Sequence, residues 1–321
     1  MINYVIKRLF KAVPVILIVL IFSFFVMHLM PGNPVRTMLG DKASEQQVIE
    51  MEKKLNLDKP LNQQFKIWFS KIIRGDFGES IFWKQSVSSI VAERIEPTFL
   101  LALIAILISV FIGIPLGLIS AISESKIFNT IFSLVNLVSI SIPSFWIALI
   151  FIKIFGVDLR IFPVSGYQSI ADEGIINAIY CLILPGIILG IMHCGQISRM
   201  TRTAMLEILG QEYLNTARAM GVNEKRVVIK HAMINAISPI IMVIGFSFAS
   251  LLGGAAVIEQ IFNIPGIGNL TINAILCRDY TLVQGVLFII ALIFILVNLL
   301  VDITCAIINP KVRYEWWKRW I

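Results

Sequence analysis

Charge is scarce in this sequence. Only 15% of its 321 residues are Asp, Glu, Lys or Arg, where a soluble domain carries roughly a quarter. Hydrophobic residues make up 57%, and the mean hydropathy is +0.85. A water-soluble chain of this length has no core large enough to hide that much apolar surface. A bilayer removes the difficulty, because there the solvent itself is apolar. Acid is in deficit too: 20 acidic against 27 basic residues leave a net charge of +7. The basic excess sits in short stretches beside apolar runs, a pattern that orients membrane segments and argues against nucleic-acid binding. There are four cysteines, Cys181, Cys194, Cys277 and Cys305, and no C-x-x-C pair. That argues against a disulfide framework or a zinc site and reads as small buried hydrophobes. Histidine is rare as well (His28, His193 and His231), and no G-x-x-x-x-G-K-[ST] phosphate loop is present.

Long apolar runs are present. A membrane-spanning helix needs about 20 mostly apolar residues, and six stretches qualify: Ala12–Met30, Thr98–Ile122, Ile131–Phe155, Ala178–Ile197, Ile237–Ile258 and Val283–Ile308. The first is longer than a signal-peptide core and lacks an A-x-A cleavage site. It reads as a retained span terminated by Met30-Pro31-Gly32-Asn33-Pro34. The expected fold class is an all-α integral membrane protein with six transmembrane helices. Lys7, Arg8 and Lys11 precede the first span, six Arg or Lys between Arg199 and Lys230 follow the fourth, and Lys311, Arg313, Lys318 and Arg319 follow the sixth. With six spans these regions share one side, expected to be the cytoplasm. The connections Asp158–Glu173 and Glu259–Leu282 then face outward. The aromatic-basic end, Tyr314–Trp320, suits a headgroup region.

The division expected is 1–30 for tail and first helix, 31–97 for a helical extracytoplasmic loop, 98–310 for a five-helix core, and 311–321 for a cytoplasmic tail. Within the loop, Ser44 and Gln47 form a capping-box pattern before a short helix reaching Leu55. After Pro60, Phe65, Trp68, Phe69, Ile72 and Ile73 fall on one helical face, and Gly75 is placed to end that helix. Lys66, Lys71 and Arg74 make it a surface helix, read as part of a small cap on the outer face of the bundle.

The core contains a less apolar segment, 199–236. Met205, Leu206, Leu209, Tyr213 and Leu214 predict one short helix. A second is predicted from Glu224 to about Asn235, with Gly221 as the turn between them. Two short helices under the membrane, edged with basic residues, make a rigid knob that a partner can grip.

Here the sequence resembles a known family. Glu212-Tyr213-Leu214-Asn215-Thr216-Ala217-Arg218-Ala219-Met220-Gly221, followed by Arg226–Ala232 and Asn235-Ala236, is similar to the cytoplasmic "EAA" loop of ABC importer permeases. The likeness is to the binding-protein-dependent dipeptide/oligopeptide/nickel type. Segments in the same order extend it over the whole chain: MINYVIKRLF (1–10), LDKPLNQQF (57–65), GDFGES (75–80), SIPSFW (141–146), FPVSGY (162–167), GGAAVIEQIFNIPGIG (253–268), RDY (278–280) and a terminal NPKVR. Two positions depart from the pattern. Asn215 stands where the motif's glutamate falls, and Thr281 stands where many relatives carry proline.

The resemblance implies a permease subunit of an ATP-driven importer for dipeptides or oligopeptides, in the bacterial cytoplasmic membrane, with both termini cytoplasmic. It implies a second homologous permease, two cytoplasmic ATP-binding subunits and an extracytoplasmic solute-binding protein as partners. It also implies no catalytic site and no cofactor on this chain, ATP and Mg being held by the partners. Nickel, metal-chelate or glutathione import is the alternative. Glu212, Tyr213, Ala217, Arg218 and Gly221 are the implied ATPase-coupling residues.

The translocation path is more open. Asn136, Ser139, Ser141 and Ser144 cluster near Pro143 and are candidates to line it. The competing reading is that such groups bond their own backbone or a neighbouring helix. Asp302 is an intramembrane carboxylate and so a functional candidate; its place near the cytoplasmic end also suits pairing with a basic residue. Gly245, Gly253 and Gly254 permit close helix contact, at a subunit seam or within the chain. His193-Cys194 reads as buried, with a soft-metal pair as the minor alternative. A secondary transporter needs coupling sites inside the membrane, and the spans offer little beyond Lys153 and Asp302. A membrane-embedded serine hydrolase needs facing Ser and His, and no nucleophile motif accompanies His193.

Overall fold

The computed structural model describes residues 2–29, 34–39, 43–54 and 56–308. Leu55, the Met30–Asn33 part of the terminator and the whole tail from 309 onward lie outside the described residues. The described residues are helical apart from connections and one isolated antiparallel bridge, Glu79 to Ser86.

In chain order the helices are α1 (Ile2–Leu29), α2 (Pro34–Leu39), α3 (Glu45–Lys54), α4 (Leu61–Ile73), α5 (Val87–Ile122), α6 (Lys126–Ser141) and α7 (Ser144–Phe151). There follow α8 (Ile170–Leu209), α9 (Glu212–Ala219), α10 (Glu224–Arg226), α11 (Met233–Gly254), α12 (Ala256–Ile261), α13 (Ile267–Leu276) and α14 (Tyr280–Ile308). Two π-helical segments, Ile152–Asp158 and Val227–Ala232, continue α7 and precede α11. Five helical stretches are long and apolar enough to cross a membrane, and α6 with α7 makes a sixth if that bent pair is one span.

Several helices outrun their apolar stretches. α5 starts at Val87, well before Thr98, capped by Ser86 Oγ accepting from the Ser89 amide. Pro97 sits inside it without ending it. α8 runs from Ile170 to Leu209, with one non-helical residue, Gly174. At 1.5 Å per residue, α5 with its 36 residues and the part of α8 after the kink at Gly174 are each roughly 50 Å long, well over a hydrocarbon core. Their ends therefore project and scaffold the structures at both faces. They run parallel and pack closely along their length. Ser109 Oγ donates to the Gly190 carbonyl at 2.8 Å, and a side chain at Gly117 would collide with the Ser198 carbonyl.

The stretch Ile131–Phe155 is not one straight span. α6 and the α7 segment meet at 96°, because Pro143 cannot donate to the α6 ladder and instead opens α7 as its N-cap residue. In the π-helical segment that follows α7, Lys153 Nζ pairs with both Asp158 oxygens at 2.8 Å.

The predicted helix over Met205–Leu214 is two helices, since α8 stops at Leu209 and α9 begins at Glu212. The helix predicted to close near Asn235 does not close there: α10, a π turn and α11 form one path, Glu224–Gly253. Two helices not predicted, α12 and α13, fill the connection before α14.

The surface helix is as predicted in its main features. The Gln47 amide bonds Ser44 Oγ at 3.3 Å and the Ser44 amide bonds Gln47 Oε1 at 3.0 Å, completing the capping box. α4 ends in a Schellman turn: the Asp76 amide bonds the Lys71 carbonyl, the Gly75 amide bonds that of Ile72, and Gly75 has φ +76°. Its apolar face packs on α1 and α14 through Ile72 with Leu20 and Phe288, and through Phe65 with Phe24 at 5.2 Å. Ile73 departs from that face and is exposed.

Candidate coupling element and translocation path

The segment after α8 folds into a compact knob. Leu214 and Ala217 of α9 are buried against Ala204 and Met205 of α8 and against Val227 and Val228 of the π turn. This buried contact fixes α9 relative to the two long helical paths on either side of it. α9 ends in a Schellman turn: the Val222 amide bonds the Ala217 carbonyl at 3.2 Å and the Gly221 amide bonds that of Arg218 at 2.9 Å. Gly221 has φ +81°, a left-handed conformation that costs a branched side chain about 1–2 kcal/mol.

The exposed side of the knob is polar and ordered by its own contacts. Arg218 donates to both Glu224 oxygens at 2.9 and 3.0 Å and to Asn215 Oδ1 at 3.0 Å. The hydrogen bond to Glu224 holds the Arg218 guanidinium above its ordinary pKa. Asn215, at the position of the motif's glutamate, thus still supplies an acceptor oxygen. Tyr213 is exposed on its ring, and its hydroxyl accepts from Asn235 Nδ2 at 3.0 Å. Glu212 lies exposed in the first turn of α9. Of the five coupling candidates, Glu212, Tyr213 and Arg218 are presented outward, Ala217 anchors α9 from beneath, and Gly221 shapes the turn.

Of the four path candidates, Asn136 and Ser141 share the lining of one cleft, while Ser139 and Ser144 are not among its lining residues. Asn136 is buried against α8: its Oδ1 accepts from Ser198 Oγ at 2.9 Å and its Nδ2 donates to the Phe132 carbonyl at 2.9 Å. Ser139 and Ser141 donate to the Val135 and Leu137 carbonyls of their own helix at 2.8 and 2.9 Å. Ser144 lies half-buried beyond the bend, in the first turn of α7. A cleft of about 440 Å³ between α6 and α8 is lined by Asn136 and Ser141, with Arg199, Arg202 and Thr203 opposite. Asp302 is paired: its Oδ2 lies 2.6 Å from Arg8 Nη1, joining α14 to α1. Gly245 meets Val301 of α14, so its role is contact within the chain. Cys181, Cys194 and Cys305 are buried and Cys277 half-buried, all as free thiols. Among the described residues no group of three or more His, Cys, Asp or Glu side chains could hold a metal ion.

The opposite face holds three polar fastenings that sequence reasoning did not single out. Tyr167 Oη donates to Glu96 at 2.6 Å, and burial with the neighbouring carboxylate pushes the phenol well above its ordinary pKa. Thr98 Oγ1 donates to Glu259 at 2.7 Å and itself accepts from the Ile267 amide at 2.8 Å. The second Glu259 oxygen accepts from the Asn269 amide at 2.8 Å, tying α12 to the start of α13. Burial pushes the fully enclosed Glu259 carboxyl up, while Thr98 and the backbone amides of Asn269 and Gly268 pull it down, and burial prevails. Finally, Asp279 accepts from Ser80 Oγ and the Phe82 and Leu282 amides. Each fastening draws at least one residue from a segment singled out above: Tyr167 from FPVSGY, Glu259 from GGAAVIEQIFNIPGIG, and Ser80 and Asp279 from GDFGES and RDY.

The profile of the family "binding-protein-dependent transport system inner membrane component" matches residues 113–314, and that of its N-terminal region matches residues 1–102. The chain belongs to this family. A Brucella abortus protein named as a peptide transport system permease is 40% identical over 311 residues, 97% of this chain and 99% of its own. The permease is also similar to a Sinorhizobium fredii protein named as a peptide ABC transporter permease, at 37% identity over 97% of this chain and 99% of that one. The glutathione transport system permease GsiC of Salmonella choleraesuis is 36% identical over 98% of this chain and 100% of its own. In fold, the permease resembles the MetNI methionine ABC transporter in an inward-facing form. The TM-score is 0.56 at 19% identity, over 68% of this chain and 96% of that one.

Proposed function

We propose that this chain is the membrane-spanning half of an ATP-driven importer that carries peptides delivered by a solute-binding protein. The observation that carries the reading is the α9 knob. It presents Glu212, Tyr213 and Arg218 outward while Leu214 and Ala217 seat it in the core shared with α8 and the path into α11. Any force on α9 therefore moves two spans at once. In this reading two cytoplasmic ATP-binding subunits grip α9, one on this chain and one on a second, homologous permease. ATP and Mg stay on those subunits; the permease converts their closure into a pore change and carries no catalytic site or cofactor of its own. Both termini and the knob lie on the cytoplasmic side of a bacterial inner membrane, because Lys and Arg concentrate there.

Peptide cargo is supported by the names of the full-length relatives. Glutathione, itself a short peptide, is the second reading, favoured by the likeness to GsiC; nickel or metal-chelate import follows it. The test is to purify the chain with its partner subunits and its binding protein, reconstitute it, and measure ATP-dependent uptake of peptides, glutathione and nickel chelates. Peptide uptake supports the assignment. Uptake of a metal species alone moves the function to metal import, and failure of any ATPase to associate sinks the importer reading.

A further inference from the structure

Arg202 of α8 has no counter-ion within ion-pair distance among the described residues. Its guanidinium lies over the Phe132 ring of α6, 5.5 Å from the centroid, and its Nε is buried with no hydrogen-bond partner. A half-buried cation with an unspent donor is costly unless an anion completes it. Around it opens a cleft of about 620 Å³, lined by Lys126, Asn129, Thr130, Ser133, Leu134 and Leu137 with Arg202 itself. It joins the cleft described above, which adds Arg199. The combined lining holds three cations, several neutral donors and no carboxylate.

The position of the cleft decides what anion fits. Lys126 is the first residue of α6, and Arg202 lies two turns before the end of α8 at Leu209, about 10 Å along the axis. That is headgroup depth for a helix entering from this face. Away from Lys126 the α8 side of the lining stays cationic through Arg202 and Arg199, and Asn136 and Ser141 remain on it, while α6 adds an exposed apolar strip of Leu134, Leu137 and Val138. The cleft thus has a polar, cationic half, made by the α8 side with Lys126, and an apolar half, the exposed strip of α6 beside it. A free phosphate uses only the first half; a phospholipid uses both. Basic pockets between spans on the cytoplasmic side bind anionic headgroups in this way.

We propose that the α6–α8 cleft binds an anionic phospholipid, with its phosphate between Lys126 and Arg202 and an acyl chain along Leu134 and Leu137. The proposal rests on the orientation argued under the proposed function, which puts this end of the bundle at the cytoplasmic leaflet.

The test uses the intact transporter, purified with its partner subunits and exchanged into phosphatidylcholine with or without phosphatidylglycerol. Native mass spectrometry counts retained phosphatidylglycerol on wild type, Arg202→Gln and, as a control at the other end, Lys66→Gln. Retention several-fold lower in Arg202→Gln and unchanged in Lys66→Gln supports the site. Equal retention in all three overturns it. Displacement of the lipid by millimolar inorganic phosphate assigns the cleft to a free anion and also overturns it. Loss of partner-subunit association in Arg202→Gln, with Lys126→Gln keeping its lipid, assigns the cleft to a subunit seam. Uptake is measured on the same samples: lost lipid selectivity beside a failed transport assay for wild type contradicts only the importer reading, and the reverse contradicts only the lipid site.

Discussion

Ser80 donates a hydrogen bond to Asp279 at 2.5 Å, across 199 positions of sequence. The same carboxylate oxygen accepts from the Phe82 amide at 3.1 Å, and the other oxygen accepts from the Leu282 amide at 3.0 Å at the start of α14. One buried side chain therefore fastens the loop after α4 to the last span. Removing it strands two backbone donors and a hydroxyl. Asp279→Ala should lower stability by about 1–3 kcal/mol for each buried donor left unsatisfied. The loss is read as a lower unfolding temperature in detergent, with faster proteolysis between α4 and α5. A wild-type digestion pattern would contradict the fastening.

Gly266 leaves no room for a side chain, because a Cβ there would enter the Glu259 carboxylate. Gly266→Ala should displace Glu259 from Thr98 and cost about 1–3 kcal/mol through overpacking. The thermal unfolding midpoint checks this; an unchanged midpoint would mean that α12 and α13 yield freely.

Glu259 also makes a pH prediction. Burial raises its folded carboxyl pKa above the ordinary 4.5, so the folded state takes up the proton more readily. That contribution is fully present below the unfolded value and is lost as pH rises through the folded one. Against Glu259→Gln, which does not titrate, wild type should lose relative stability between acid and neutral pH. A gap that widens in favour of wild type over that range would reverse the assignment and mean that the three donors outweigh burial.

Gly221→Val forces a branched residue into φ +81° at the end of α9. The expected result is a folded, assembled protein in which ATP hydrolysis continues while uptake falls by at least an order of magnitude, from a local strain of about 1–2 kcal/mol. ATPase and uptake assays in proteoliposomes decide it. Normal uptake would remove Gly221 from the coupling element.

The Arg8–Asp302 pair is three-quarters buried on both sides. Breaking it from one side leaves a charge facing an apolar bundle, which is costly, whereas removing both charges is far milder. Arg8→Gln and Asp302→Asn should each reduce folded yield, and the double substitution should recover most of it. Additive losses would indicate that the two residues act independently.

Much of this molecule is local and was therefore legible. Five of the six apolar stretches fall in helices long enough to span and the other is bent at Pro143; the five were legible because the hydropathy of a helix is a property of its own residues. Ser44 with Gln47, Gly75 and Gly221 announced a helix start and two helix ends, because capping and left-handed turns are decided within a few residues. Where the same turns lacked glycine the signal vanished. α12 and α13 end on Asn263 and Arg278 in the left-handed region, so both helices were missed. The π turn at Val227–Ala232 was hidden too, and with it the continuity of the path into α11.

The sequence alone determined that this chain lives in a membrane, which end is basic, and where α9 turns. Each of these follows from composition or from neighbours a few residues apart. Only the tertiary structure decided the fates of the polar side chains. Asn136 meets Ser198, Asp302 meets Arg8, Glu259 meets Thr98, and Arg202 is left without a carboxylate. A polar group in an apolar chain must find a partner, but scarcity of charge does not say which one. The pairings span 62 to 199 positions, or close α14 against α1, and only the packing of the spans sets them.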